Sequence, residues 1–241
     1  MNAIEIRELT KRYKELTAVD RLSLEIGSGE LFSLLGVNGA GKTTTIKMLS
    51  CLTRPSAGDA LLNGRSILHD SSGVKSIIAV SPQETAVAPL LSVRENLALM
   101  AGIHGMSKAE TAAKIAALSD RLGLEAVLNR KAGKLSGGWQ RRLSIAMALI
   151  SDPEILFLDE PTLGLDVLAR SELWGLIRSL KGRMTIVLTT HYMEEAESLS
   201  DRTGIMKKGR LIAVGTPAEI KARAGTERFE DAFVKLVKEA E

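Results

Sequence analysis

Very little in this 241-residue chain could staple it covalently or carry it through a membrane. Cys51 is the sole cysteine, so an internal disulfide is excluded and a reducing compartment is the simple reading. Met1 to Arg7 carries charges where a secretory signal needs an apolar stretch. No window approaches the ~20 apolar residues of a spanning helix. The most apolar region, Leu143 to Leu158, is broken by Asp152, Pro153 and Glu154. Internal repeats, low-complexity tracts and long linkers are missing too. The net charge of +3 is dispersed, without the basic block of a nucleic-acid tail. If the chain works at a membrane, it does so from the side.

What is present suits a soluble globular protein with a sizeable core: 45% apolar and 25% charged residues. Alternating stretches open the chain, Ile4 and Ile6, then Leu22, Leu24 and Ile26, as in half-buried strands. Four short apolar runs follow: Leu31–Leu35, Ile77–Val80, Ile155–Leu158 and Ile186–Leu188. Separated by helical segments, such runs read as parallel strands covered on both faces. Gly204–Met206 and Arg210–Val214 flank Lys207-Lys208-Gly209 as a hairpin. Ser92/Glu95, Ser107/Glu110 and Thr216/Glu219 each fit a capping box, the last with Pro217 at the first helical position. Residues 92 to 150 contain no convincing strand and read as a helical insertion. Phe229, Phe233, Leu236 and Val237 share a helical face suited to docking on the core.

The chemistry begins at Gly36-Val37-Asn38-Gly39-Ala40-Gly41-Lys42-Thr43-Thr44, which matches the Walker A pattern G-x-x-x-x-G-K-[ST]. A strand precedes it and a helical segment, Thr44–Leu52, follows. The glycines let backbone N–H groups turn toward phosphate oxygens, and the helix N-terminus adds its positive end. Lys42 is expected to reach the β- and γ-phosphates and the Thr43 hydroxyl to ligate Mg²⁺. Letters alone would produce this pattern in roughly one chain in a hundred of this length; the strand–loop–helix setting lowers that further.

Asp159-Glu160 closes the run Ile155–Leu158, and carboxylates at that strand end can face a nucleotide at the same sheet edge. Asp159 is then a Mg²⁺ holder and Glu160 the general base, or the group that orients the attacking water. Two solvated loop acids are the bland alternative. Leu135-Ser136-Gly137-Gly138 offers a second anion site, with Ser136 as cap and exposed N–H groups at a helix start. Alone, Ser-Gly-Gly is more often a plain turn.

Walker A, Leu135–Gly138, Asp159–Glu160, Gly164-Leu165-Asp166 and His191 stand in the order and approximate spacing of the ABC ATPase family, which the chain resembles over nearly its whole length. Thr190–Ala196 and Asp201-Arg202 look most like drug-exporter-type ABC transporters. The resemblance implies an α/β fold: a P-loop NTPase core with a mainly parallel sheet, an N-terminal antiparallel β subdomain and an inserted α-helical subdomain. It divides the chain into core residues 1–84 and 151–216, helical residues 85–150 and C-terminal helices 217–241. It also implies that Tyr13 stacks on adenine and that Gln83 touches Mg²⁺ and water while sensing a membrane subunit. Ser136, Gly137 and Gly138 would contact the γ-phosphate held by a partner copy or homologous subunit, with Asp166 at the seam. His191 would hold the γ-phosphate and keep Glu160 in place.

Trp139 departs from the Gln common in relatives, and Leu163 and Val167 replace small or Pro residues. Ala86-Val-Ala-Pro-Leu-Leu91 either leaves an apolar groove for the membrane partner or packs inside. The expectation is an ATP- and Mg²⁺-dependent ATPase at the cytoplasmic face of the cell membrane. It would drive a separate permease, most like an exporter, with no nucleic acid involved. Two alternatives remain. A soluble ABC ATPase remodelling nucleic acid or ribosomes would show nucleic-acid-stimulated turnover. A small-molecule kinase would leave Ser136–Gly138 and His191 without a task.

Overall fold

The computed structural model describes residues 1–240, so Glu241, the end of the expected C-terminal helices, lies outside the described residues. Two sheets are formed. The first is antiparallel, in the order β2-β1-β4-β5, from β1 (Asn2–Tyr13), β2 (Leu16–Gly27), β4 (Ala57–Leu62) and β5 (Arg65–Ser66). The second contains β3 (Leu31–Leu35), β6 (Ile78–Ser81), β7 (Ile155–Asp159), β8 (Thr185–Thr190), β9 (Arg202–Lys207) and β10 (Arg210–Gly215). Its order is β10-β9-β3-β8-β7-β6; only the β9–β10 hairpin is antiparallel. Strands β3, β7 and β8 are buried at every residue, as mostly apolar strands covered on both faces should be.

Period-two geometry splits these strands between two cores. Ile155, Phe157, Val187, Phe32 and Leu34 face one core with β1, β2, α1 (Lys42–Leu49) and α2 (Ser71–Ile77). Leu156, Leu158, Ile186, Leu188 and Leu31 face the other, built with α3 (Val93–Ile103), α4 (Lys108–Leu122), α5 (Gly137–Ala148) and α6 (Val167–Leu180). Each fully buried Leu, Ile or Phe contributes about 1.5–3 kcal/mol, so a one-residue slip in a central strand would be heavily penalised. A third cluster gathers α7 (Met193–Leu199), α8 (Pro217–Ala224) and α9 (Phe229–Glu239) around Leu35 and Ile205. Phe229, Phe233 and Leu236 are buried there, with Val237 packed at the margin.

All three expected capping boxes close, on α3, α4 and α8, each fixing a helix start by about 1 kcal/mol. Bonds from the Ser92, Ser107 and Thr216 segments hold the Glu95, Glu110 and Glu219 carboxyls below the usual range. Residues 92 to 150 form α3 to α5 and short 3-10 turns. The segment after Walker A becomes helical at Lys42, two residues earlier than the sequence suggests, and ends at Leu49. Sequence patterning does not reveal β4, β5 or α2.

The Ala86–Leu91 stretch divides between its two readings. Val87 packs against the helical core, and the Ala88 backbone is bonded on both sides by the Asn96 side chain. Leu90, by contrast, is 78% exposed.

Candidate functional site

Parallel pairing brings the chemistry to one edge. Leu35 lies in register with Thr190, and Asp159 with Thr189, so β3, β7 and β8 end level. Walker A leaves β3 there, Asp159-Glu160 ends β7, His191 follows β8 and Gln83 follows β6. Between them opens a cavity of about 650 Å³, lined among others by Asn38 to Thr44, Gln83, Glu160 and His191. Tyr13 forms its outer wall, 45% exposed, with Lys11 Nζ 5.0 Å from its ring centre. Its neighbours Leu16, Thr17 and Ala18, together with Lys208 and Leu163, also line the cavity; no motif flagged the first four.

The loop depends on glycine at two places. Gly41 has φ of 106°, and a Cβ there would fall 2.5 Å from the Ala18 carbonyl oxygen. At Gly36 a Cβ would meet the Met206 carbonyl oxygen at 2.6 Å. Both contacts are with backbone, which cannot swing aside. We therefore expect Gly41→Ala to lower stability by about 2–3 kcal/mol and the melting temperature by about 5–10 °C. A thermal scan without nucleotide checks this; an unchanged melting point would contradict the geometry.

Lys42 is 4% exposed, and its Nζ donates to the Gly36 carbonyl at 2.8 Å and to Val37 at 3.3 Å. It also lies 3.4 Å from Glu160 Oε1. Val37 itself is 52% exposed and, like Gly36, stands outside the cavity lining. Thr43 Oγ1 donates to Asp159 Oδ1 at 3.1 Å, and Thr189 Oγ1 donates to the same oxygen. Asp159 is buried, so the two hydroxyls fix its carboxylate beside the loop.

Glu160 is 7% exposed and adopts φ of 47°, a left-handed conformation that side-chain-bearing residues avoid. Its N–H donates to Thr189 O and Oγ1, at 3.1 and 3.0 Å. His191 Nδ1 comes within 3.2 Å of Glu160 Oε2, yet that nitrogen makes no aligned hydrogen bond. A buried, unpaired ring nitrogen beside a carboxylate is a fitting neighbour for a phosphate or water oxygen. Arg141 on α5 donates to the Pro82 and Gln83 carbonyls, anchoring the Gln83 segment to the helical region.

The remaining expected residues lie apart from this cavity. Ser136, Gly137 and Asp166 are exposed on a neighbouring face where the starts of α5 and α6 meet. A Cβ on Gly138 would come within 3.0 Å of Ala169 Cβ, and one on Gly137 within 3.6 Å of Leu165. The expected Ser136 side-chain cap does not form: the backbone has cap geometry, but the hydroxyl makes no bond to the helix. The first N–H groups of α5 therefore keep their donors free of a local side chain. Asp166, in contrast, does cap α6, accepting from Ala169 N at 2.9 Å. Trp139 packs against the helical core under the Arg142 guanidinium, 4.7 Å from the ring centre.

A Walker A loop, Glu160 and His191 around one cavity, with Asp159 bonded to Thr43 behind it, are the arrangement of a P-loop ATPase. Comparison with known proteins carries this further: a family model described as "ABC transporter" matches residues 19–163, and the chain belongs to that family. It is 44% identical over 221 residues to the Nod factor export ATP-binding protein I of Paraburkholderia xenovorans, across 91% of this chain and 73% of the relative. A solved ATP binding subunit of an ABC transporter superposes with a TM-score of 0.85 at 29% identity, covering 97% of this chain and 99% of the other. The dimeric post-hydrolysis structure of the ATP-binding cassette MJ0796, bound to ADP and Pi, gives 0.78 at 28% identity, over 88% and 98% of the two chains. This protein is accordingly an ATP-binding, ATP-hydrolysing chain of the ABC transporter family. No helix among the described residues is long and apolar enough to cross a membrane.

Proposed function

We propose that two ATPase subunits, copies of this chain or this chain and a homologue, clasp ATP between them and so drive export through a separate membrane protein. The observation that carries this is the placement of Ser136–Gly138. A helix start with free N–H donors is useful to a phosphate, yet here it stands on a different face from the chain's own Lys42 cavity. A two-fold pair places each such start opposite the other copy's loop, a self-complementary interface. Asp166, beside it, belongs to the same seam. The relative named for Nod factor export supports the exporter reading, and the dimeric cassette supports the pairing.

In this reading Tyr13 stacks on adenine, Asn38 to Thr44 wrap the phosphates and Lys42 meets the β- and γ-phosphates. Mg²⁺ fits the residues present: Thr43 Oγ1 and Asp159 Oδ1 converge, and Gln83 lines the same cavity. When bound, Mg²⁺ neutralises charge on the transferring phosphate. Glu160 orients the attacking water and accepts its proton, and His191 keeps Glu160 and the terminal phosphate in register. Residues 1–84 and 151–216 hold the nucleotide, 85–150 present Ser136–Gly138, and the C-terminal helices brace the core. The location that follows is the cytoplasmic face of a membrane, with Leu90 and its neighbours available to the permease.

The test is sedimentation with Mg²⁺ and a non-hydrolysable ATP analogue. The wild-type chain is expected to dimerise, and Ser136→Arg to stay monomeric while binding nucleotide as before. A wild-type chain that remained monomeric alone, with its membrane partner and with homologous ATPase subunits would remove the proposal.

A further inference from the structure

One buried carboxylate has no part in the chemistry above. Glu195, on α7, is 0% exposed. Its Oε1 accepts from the Thr162 hydroxyl at 2.8 Å and from the Trp174 indole N–H at 3.0 Å. Thr162, also fully buried, is two residues past Glu160. Trp174 lies on α6, the helix that Asp166 caps, and Glu195 is four residues past His191. A single oxygen thus joins the segment leaving the base, the helix behind the seam and the segment leaving the histidine.

Burial pushes the Glu195 carboxyl above the usual range, and hydrogen bonding from Thr190, Thr162 and Trp174 opposes the rise. The charged groups facing it are Arg170 on α6, whose guanidinium sits 4.6 Å from the Tyr192 ring centre, and Arg141 on α5. Its second oxygen, Oε2, makes no hydrogen bond. A buried acid kept under such terms holds something that matters, because removing one partner leaves the others' donors orphaned.

We propose that Glu195 is a positioning residue for ATP hydrolysis: by bridging Thr162 and Trp174 it fixes the Glu160–Thr162 turn against the segment that carries His191. The inference rests on the roles of Glu160 and His191 given above. Glu160 holds a strained backbone, and strain persists only where surroundings over-determine it. Its N–H is tied to Thr189 on one side; Thr162, tied to Glu195, secures the other. Since the 3.2 Å approach of His191 to Glu160 includes no aligned hydrogen bond, these segments help to set the spacing of the two side chains.

The experiment compares Glu195→Ala, Glu195→Gln, Thr162→Val and Trp174→Phe in the full chain by kcat, KM for ATP and melting temperature. Glu195→Ala is expected to lower kcat about tenfold to a hundredfold with KM within about twofold, because misplacement affects the reacting geometry and not nucleotide capture. Glu195→Gln, whose carbonyl oxygen still accepts both bonds, restores most of kcat. Thr162→Val lowers kcat about tenfold and adds little to Glu195→Ala. Thr162→Val and Trp174→Phe at wild-type kcat would overturn the inference, as would equal loss in Glu195→Gln and Glu195→Ala. Should Glu195→Ala fail to fold, the other three variants decide. Glu160→Gln serves as the control: normal turnover in that variant defeats the parent assignment, whereas an inactive Glu160→Gln beside an unaffected Glu195 series defeats this inference alone.

Discussion

Glu160→Gln is expected to cut ATP turnover by about 10²–10⁴-fold while ATP still binds, the range that loss of a general base commands. Gln keeps the shape and the hydrogen-bonding reach of the side chain. Its backbone bonds to Thr189 are made by the N–H and survive the change. What disappears is the oxygen that can take a proton from water. The exchange also removes the carboxylate 3.4 Å from Lys42 Nζ, so the ammonium meets a terminal phosphate with less internal competition. Nucleotide affinity should therefore hold or rise, and the ATP-joined dimer should accumulate. Single-turnover phosphate release, read beside sedimentation, separates the two effects. Turnover within tenfold of wild type would take the base assignment away from Glu160.

Lys42→Ala is the counterpart, with loss at binding instead of at chemistry. In the reading above, the ammonium spans two phosphates, and charge-assisted hydrogen bonds are worth about 1.5–3 kcal/mol each. Removing them should weaken ATP binding by about a hundredfold or more, at about 1.4 kcal/mol per tenfold. The substitution also strands Gly36 and Val37 carbonyls that Lys42 now satisfies, so the loop itself loosens. Equilibrium binding of a fluorescent ATP analogue measures the first effect. Because Lys42 is almost wholly buried, some loss of thermal stability should accompany it. Unchanged affinity would mean that the cavity at Asn38–Thr44 is not where the phosphates sit.

The parts of this site that could be read from the sequence are contiguous in the chain. Walker A and Asp159-Glu160 announce themselves because the strand before each is short and mostly apolar, and the chemistry has to follow at that strand's end. The capping boxes were legible for the same reason, since a helix start is decided by residues three apart. Elements held by partners distant in sequence were not. Ala57-Gly-Asp-Ala-Leu-Leu62 has little strand character of its own; it becomes β4 because β1 offers it a ladder. Leu16 to Ala18 and Lys208 reach the cavity from strand ends and a hairpin turn that no pattern ties to a nucleotide. Glu195 resembles its exposed neighbour Glu194 in every letter-level respect, and only folding reveals which acid faces inward. Ser136 shows the reverse case: its cap position was readable, its missing side-chain bond was not, because a rotamer leaves no trace in composition.

The left-handed backbone at Glu160 has a consequence for how this protein would respond to selection. Glycine and asparagine relax into that conformation with far less strain than glutamate. Selection for heat tolerance could relieve that strain only by giving up the carboxylate that faces Lys42 and that is proposed to accept the proton, so the strained position and the reaction are bound together.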